Sequence, residues 1–155
     1  MKKGDLAPDF TLFSDAKKSV NLTETLEKKP VVLLFFPAAF TGTCTTELND
    51  VNNDLDGFQG AAIFGISTDA PFTLAEYSKV NGFSFPLLSD HDSAVSAAYG
   101  TKYDHDFTGM KLDRISKRSA FVIDQKGVLQ YVEVLEDARQ VPDLDAIKLV
   151  IKTLI

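Results

Sequence analysis

Cysteine is nearly missing from this sequence: of 155 residues, only Cys44 carries a thiol. No intrachain disulfide can form, which excludes a disulfide-stapled scaffold. A cysteine-rich zinc centre is excluded with it, because the two histidines, His91 and His105, stand 14 positions apart, a spacing unlike that of structural zinc ligands. Positive charge is also scarce. Lys and Arg total 16 against 22 Asp and Glu, a formal charge of −6, and the resulting field repels phosphate backbones and anionic lipid. Nucleic acid and membranes are therefore not expected partners. Long apolar runs are missing too: the longest, Val31 to Phe40, contains Pro37 and falls well short of a bilayer span. Met1 to Asp9 has two lysines with no apolar stretch behind them, since Asp5 and Asp9 interrupt it. A soluble, cytoplasmic protein is expected. No repeat, low-complexity tract or Pro/Gly/Ser-rich linker occurs. Residues 1–155 are expected to form one domain, and the 45% hydrophobic content suffices for a core without metal.

What is present is a patterned succession of strands and helices. Asp9 to Phe13 and Val20 to Leu22 read as a small N-terminal hairpin with Ser14 to Lys18 as its turn. Val31 to Phe36 is a continuous run of β-formers, as expected of a central strand covered on both faces, and Pro37 stops it. Leu48, Val51, Leu55 and Phe58 then recur at helical spacing, predicting a helix from about Thr41 to about Asp56 closed by Gly57. Ala61 to Ser67 reads as a second buried strand, and Pro71 to Val80 as a helix with Pro in its first turn and Asn81-Gly82 at its end. Phe85 to Leu88 is a short strand and Ser93 to Tyr99 a short helix ended by Gly100. Ser119 to Asp124 and Val128 to Val134 form a hairpin, and Pro142 to Leu154 is the closing helix. A βαβα unit followed by an antiparallel hairpin and a last helix is the order of a thioredoxin-like α/β fold: a central mixed β-sheet flanked by helices, here preceded by the N-terminal hairpin. Fold class alone does not assign chemistry.

Chemistry concentrates where the central strand ends and the helix begins, in Phe36-Pro37-Ala38-Ala39-Phe40-Thr41-Gly42-Thr43-Cys44-Thr45-Thr46-Glu47-Leu48. Cys44 falls in or beside the first helical turn, where free backbone N–H groups and the positive end of the helix dipole stabilise a thiolate. Substitution at a peroxide oxygen needs such a thiolate, donors for both oxygens, and stabilisation of charge on the departing one. The N–H groups of Thr43 and Cys44 and the Thr41 hydroxyl could supply donors, while Pro37 would shape the loop and shield the sulfur.

Pro37, Thr41 and Cys44 stand in a Pro-x-x-x-Thr-x-x-Cys pattern that resembles the peroxiredoxins, and the surrounding Phe-Phe-Pro-x-x-Phe-Thr-Gly-x-Cys is most similar to their bacterial one-cysteine group, AhpE. Gly4 to Leu12, Phe85 to Asp90, Ala98 to Gly100 and Arg118-x-x-Phe121-Val122-Ile123-Asp124 extend the resemblance across nearly the whole chain. The resemblance implies that Arg118 lies beside the sulfur, stabilising the thiolate and hydrogen-bonding the peroxide. Glu47 resembles the acid that orients this arginine, and Thr43, Glu47 and Phe40 are expected around the bound peroxide, Phe40 shaping the pocket or a dimer contact. Arg139 resembles a second arginine of the family. The resemblance implies no cofactor or metal, an external thiol reductant (thioredoxin, glutaredoxin or a low-molecular-weight thiol) and a homodimer.

The differences from neighbouring groups are equally informative. Where thioredoxins carry Cys-x-x-Cys, this chain has Thr41-Gly42-Thr43-Cys44, so dithiol exchange is not expected. The position five residues after Cys44, where some peroxiredoxins place a resolving cysteine, holds Asn49. A Cys44 sulfenic acid must therefore be reduced from outside, and excess peroxide drives it on to sulfinic and sulfonic acids. Each of these residues also has a plainer role. A lone cysteine is commonly a small buried hydrophobe, Thr41 a helix cap, Pro37 a strand stop and Arg118 a solvated strand-end residue. The Thr-Gly-Thr turn and the spread of matching segments favour the catalytic role for Cys44. Alternatives are a thiol redox sensor or non-catalytic binding module, which slow reduction by donor thiols would favour, and a Cys-His hydrolase, which needs His91 or His105 at the sulfur. Both histidines stand among carboxylates and are expected at the surface.

Overall fold

The computed structural model describes residues 1–155. Seven strands form one mixed sheet: β1 (Thr11–Ser14), β2 (Ser19–Asn21), β3 (Val31–Phe35), β4 (Ala62–Ser67), β5 (Leu87–Ser89), β6 (Arg118–Ile123) and β7 (Leu129–Leu135), in the order β2-β1-β5-β4-β3-β6-β7. Five helices accompany them: α1 (Leu22–Leu26), α2 (Gly42–Asn52), α3 (Pro71–Asn81), α4 (Ala94–Ala98) and α5 (Leu144–Thr153). β3, β4 and β5 run parallel, whereas β6 enters antiparallel to β3 and β7 antiparallel to β6. None of the helices is long and apolar enough to cross a membrane.

The apolar run read as a central strand is β3, whose five residues are all fully buried. Period-two alternation explains why every position must be apolar. Val32 and Leu34, with Phe36 just beyond the strand, join a core with Leu48 and Val51 of α2, Leu74 and Tyr77 of α3, and Ile147 and Ile151 of α5. Val31, Leu33 and Phe35 join a second core on the other face with Leu22 and Leu26 of α1, Phe10, Tyr99 and Phe121.

Two expectations about elements are corrected. The helix carrying Cys44 ends at Asn52 rather than near Asp56. Asn52, its last residue, ties that end to the next layer: its side chain donates to Gly82 O (3.1 Å) and accepts from Ser84 N–H (2.8 Å). Leu55 and Phe58 still point inward, from a separate turn of 3-10 helix over Leu55–Phe58. The second arm of the N-terminal hairpin stops at Asn21, and Leu22 opens α1, which the sequence reading lacked. Asn21 caps it by accepting from Glu24 N–H at 2.9 Å. β1 also pairs with β5, so the hairpin extends the main sheet.

Candidate active site

β3 delivers the chain to the C-terminal end of the parallel strands, and Pro37 follows it, so the next residues turn outward before α2 begins. Thr41 is the N-cap of α2, with extended backbone (φ −102°, ψ 154°). Its hydroxyl makes no capping bond and instead donates to Ala38 O at 2.7 Å. The first helical bond, Thr45 N–H to Thr41 O (3.0 Å), lies beyond Gly42, Thr43 and Cys44. Their amides are thus the free N–H groups of a helix start, and Cys44, the third residue of α2, is buried while Gly42 is exposed and Thr43 half-buried.

A cation reaches the same place from the other end of the chain. Because β6 runs antiparallel to β3, with Phe35 opposite Ser119, the start of β6 lies beside the end of β3. Arg118 opens β6 on the face of Ala120 and Val122, which is the face that packs on α2. Its Nη2 donates to Cys44 Sγ at 3.2 Å and to Ala138 O at 2.9 Å, and its Nη1 donates to Glu47 Oε2 at 2.8 Å. Arg118 and Glu47 are both buried, so this is an ion pair of low dielectric, where charge interactions exceed those at a surface. Arg118 Nε and Glu47 Oε1 have no partner, a cost of holding these two groups in an apolar layer. Burial pushes the Glu47 carboxyl up to about 7, against the opposing pull of Arg118. Burial also works to lower the Arg118 value, but Cys44 and Glu47 outweigh it and hold the guanidinium above its ordinary value, so it stays charged.

The sulfur lies at a cleft of about 310 Å³. Pro37, Ala38, Thr41, Gly42, Thr43, Cys44 and Arg118 line one part, and Phe107, Met110, Leu112 and Ile115 give it an apolar wall, with Arg139 also in the lining. Such a cleft admits a small oxidant to a sulfur beside a fixed positive charge and free amides.

Likeness to known proteins agrees with this chemistry. Residues 3–132 match the AhpC/TSA family. Alkyl hydroperoxide reductase E of Mycobacterium tuberculosis (strain H37Rv) is 37% identical over 135 residues, 84% of each chain. Peroxiredoxin Bcp of Escherichia coli K12 is 34% identical over 134 residues, 85% of each chain. Among solved structures, peroxidoxin BcpB of Mycobacterium tuberculosis superposes with a TM-score of 0.82 at 33% identity, covering 99% of this chain and 96% of that one. The chain belongs to the peroxiredoxins. As a peroxiredoxin it is a thiol-dependent peroxidase with the thioredoxin-like architecture of its relatives.

In this peroxiredoxin Pro37, Thr41, Thr43, Cys44 and Arg118 come together at the cleft, and Arg139 joins them, exposed and held by Asp137 through two side-chain bonds of 3.0 and 2.9 Å. Glu47 does not line the cleft. It stands behind Arg118, which corrects its expected place around the peroxide. Phe40 is outside the lining as well: the residue is 55% exposed and its ring packs on Tyr77 with centroids 4.9 Å apart. Neither histidine reaches the sulfur, since His91 Nδ1 pairs with Thr68 O (3.1 Å) and His105 with Asp104. The apolar wall and the Ala138 carbonyl escaped the sequence reading because residues 104–116 and 136–142 are loops without periodicity, and a backbone carbonyl has no residue-type signature.

Proposed function

We propose that Cys44 is the peroxidatic residue, and that this chain reduces hydrogen peroxide, organic hydroperoxides or peroxynitrite by a one-cysteine cycle. The observation that carries the proposal is the buried Arg118 guanidinium, 3.2 Å from Cys44 Sγ and tied back to Glu47. A thiolate there has a fixed counter-charge and needs no proton removed at the moment of attack.

In the first step a sulfur lone pair of the thiolate attacks the nearer peroxide oxygen. The S–O bond forms as the O–O bond breaks, leaving a Cys44 sulfenic acid that keeps the peroxide's proton. The departing oxygen leaves as hydroxide or alkoxide, which takes a proton from solvent to give water or alcohol, or, from peroxynitrous acid, as nitrite. Arg118 and the amides of Thr43 and Cys44 are placed to meet the charge that grows on the oxygens. The Thr41 hydroxyl donates to Ala38 O, which leaves its oxygen free to accept a hydrogen bond from the O–H of the peroxide. Pro37 walls the sulfur. In the second step an external thiol attacks the sulfenic sulfur, releasing water and forming a mixed disulfide, and a further thiol restores Cys44. With one cysteine in 155 residues the chain cannot supply that thiol itself. A cycle that consumes reduced thiol fits the cytoplasm, where thiols are kept reduced. We assign the exposed Phe40 ring to a homodimer contact rather than to the pocket. Analytical ultracentrifugation of wild type and Phe40→Ala tests this, with a weaker dimer expected for the variant.

The test of the main reading mixes reduced protein with equimolar hydrogen peroxide in a stopped-flow instrument, with intact-mass detection. Rapid gain of one oxygen, absent in Cys44→Ser, is expected. Oxidation no faster than that of a free thiol would sink the proposal.

A further inference from the structure

The turn that carries the sulfur is held in place by a carboxylate from a neighbouring loop. β3 and β4 are parallel, so the loops that follow them lie side by side. Just past β4, Asp69 Oδ2 accepts the Ser67 hydroxyl at 2.6 Å and the backbone N–H of Ala39 at 2.8 Å. Asp69 is itself fixed at both ends: its N–H donates to Ser67 Oγ (3.2 Å), and its carbonyl accepts the Ser89 hydroxyl of β5 (2.7 Å). Asp69 is therefore anchored to two strands, to β4 through its carboxylate and N–H and to β5 through its carbonyl, and the carboxylate's other bond reaches the middle of the Pro37–Thr41 turn.

That turn needs an anchor. Phe40, the residue after the tethered amide, has φ 63°, a left-handed conformation that a bulky side chain rarely adopts and that persists only where its surroundings impose it. On its other side the Phe40 ring rests on Tyr77, whose hydroxyl bonds Thr45 Oγ1 of α2 at 2.9 Å. Without the Ala39 tether, rotation of Phe40 back to negative φ would swing Thr41 and the first amides of α2. The Arg118–Cys44 contact is made from β6 and does not pass through this tether.

We infer that Asp69 is a positioning residue for the peroxidase reaction: through the Ala39 amide it holds the strained Phe40–Thr41 turn in the conformation that presents Cys44 and the first amides of α2 to the peroxide. This rests on the peroxidatic role of Cys44. Asp69 is not in the cleft lining and has no bond to the sulfur or to Arg118. It acts on the geometry that receives oxygen and leaves the charge beside the sulfur unchanged.

That separation is measurable. For wild type, Asp69→Ala and Asp69→Asn, in the full chain, the rate of oxidation by hydrogen peroxide is compared with the rate of alkylation by iodoacetamide across pH, which follows thiolate formation and access to the sulfur but not the placing of the peroxide oxygens. Asp69→Ala is expected to lose roughly ten- to a hundred-fold in peroxide rate with alkylation not slowed. Asp69→Asn, whose amide oxygen can still accept from Ala39, is expected to recover to within about three-fold of wild type. Wild-type peroxide rates in Asp69→Ala, a parallel fall of both rates, or no recovery in Asp69→Asn would each overturn the role. Should Asp69→Ala fail to fold, Ser67→Ala loosens the same carboxylate, and the same split between the two rates decides. A wild-type chain that reacts with peroxide no faster than a free thiol would instead remove the peroxidatic reading, whatever Asp69 does.

Discussion

Arg118 gathers three unlike partners on one guanidinium: a thiol sulfur, a carboxylate and a backbone carbonyl, all from segments distant in sequence. The planar fork allows this, whereas an ammonium is a point charge on a flexible stem. Arg118→Lys is accordingly expected to keep the positive charge yet lose the shared geometry. Its peroxide rate in stopped-flow should fall by about 10²–10³, the scale for one oxyanion-stabilising donor. A Lys variant at wild-type rate would show that charge alone suffices. Glu47 makes a different prediction, in pH. Its folded value of about 7 lies above its ordinary 4.5, so between these values the folded state holds the extra proton. Stability then falls as pH rises through that window. Glu47→Gln keeps the shape and removes the titration. Thermal melts from pH 4.5 to 7.5 are expected to show a steeper decline for wild type than for the variant, and parallel curves would refute the assignment.

Strands and helices decide how firmly that geometry is backed. Gly65 in β4 lies under the end of β3. A Cβ there would stand 2.7 Å from Leu87 Cδ2 and 3.3 Å from Phe36 Cε1, the residue just before Pro37. Gly65→Ala is expected to destabilise by about 1–3 kcal/mol in urea unfolding, the usual range for overpacking. An unchanged midpoint would mean that Leu87 moves aside freely. At this scale the sequence was readable wherever one period dominated. β3, β4, α3 and the β6–β7 hairpin appear close to their expected bounds, and so does the Cys44 turn, because a buried strand running into a capped helix leaves a strong local pattern. Arg118 was legible only through its fixed distance from Phe121 to Asp124. The end of α2 was not legible, since Leu55 and Phe58 keep their inward spacing in a 3-10 turn as they would in an α-helix. Of the two places expected for Phe40, pocket or dimer contact, residue type could not choose, because the left-handed backbone that turns the ring onto Tyr77 has no signature in it. Asp69 was missed for a related reason: its partner is a main-chain amide 30 residues earlier.

Taken as a whole, the molecule has one thiol, and that sets its stoichiometry. Without added reductant each chain is expected to consume one equivalent of peroxide, add one oxygen and stop, and with excess peroxide to pass on to sulfinic and sulfonic acids. Intact mass against time checks this; continued turnover without a thiol would mean that another group reduces the sulfenic acid. The sheet adds a second consequence. Cys44 and Arg118 are 74 residues apart, yet their contact depends on a single alignment, Phe35 opposite Ser119. Sliding β6 by one residue would turn Arg118 to the opposite core and present Lys117 or Ser119 to the sulfur. A misaligned sheet would keep its far-ultraviolet ellipticity and lose its chemistry. Peroxide reactivity during refolding is thus a gauge of strand alignment, and it should recover only when β6 has locked beside β3.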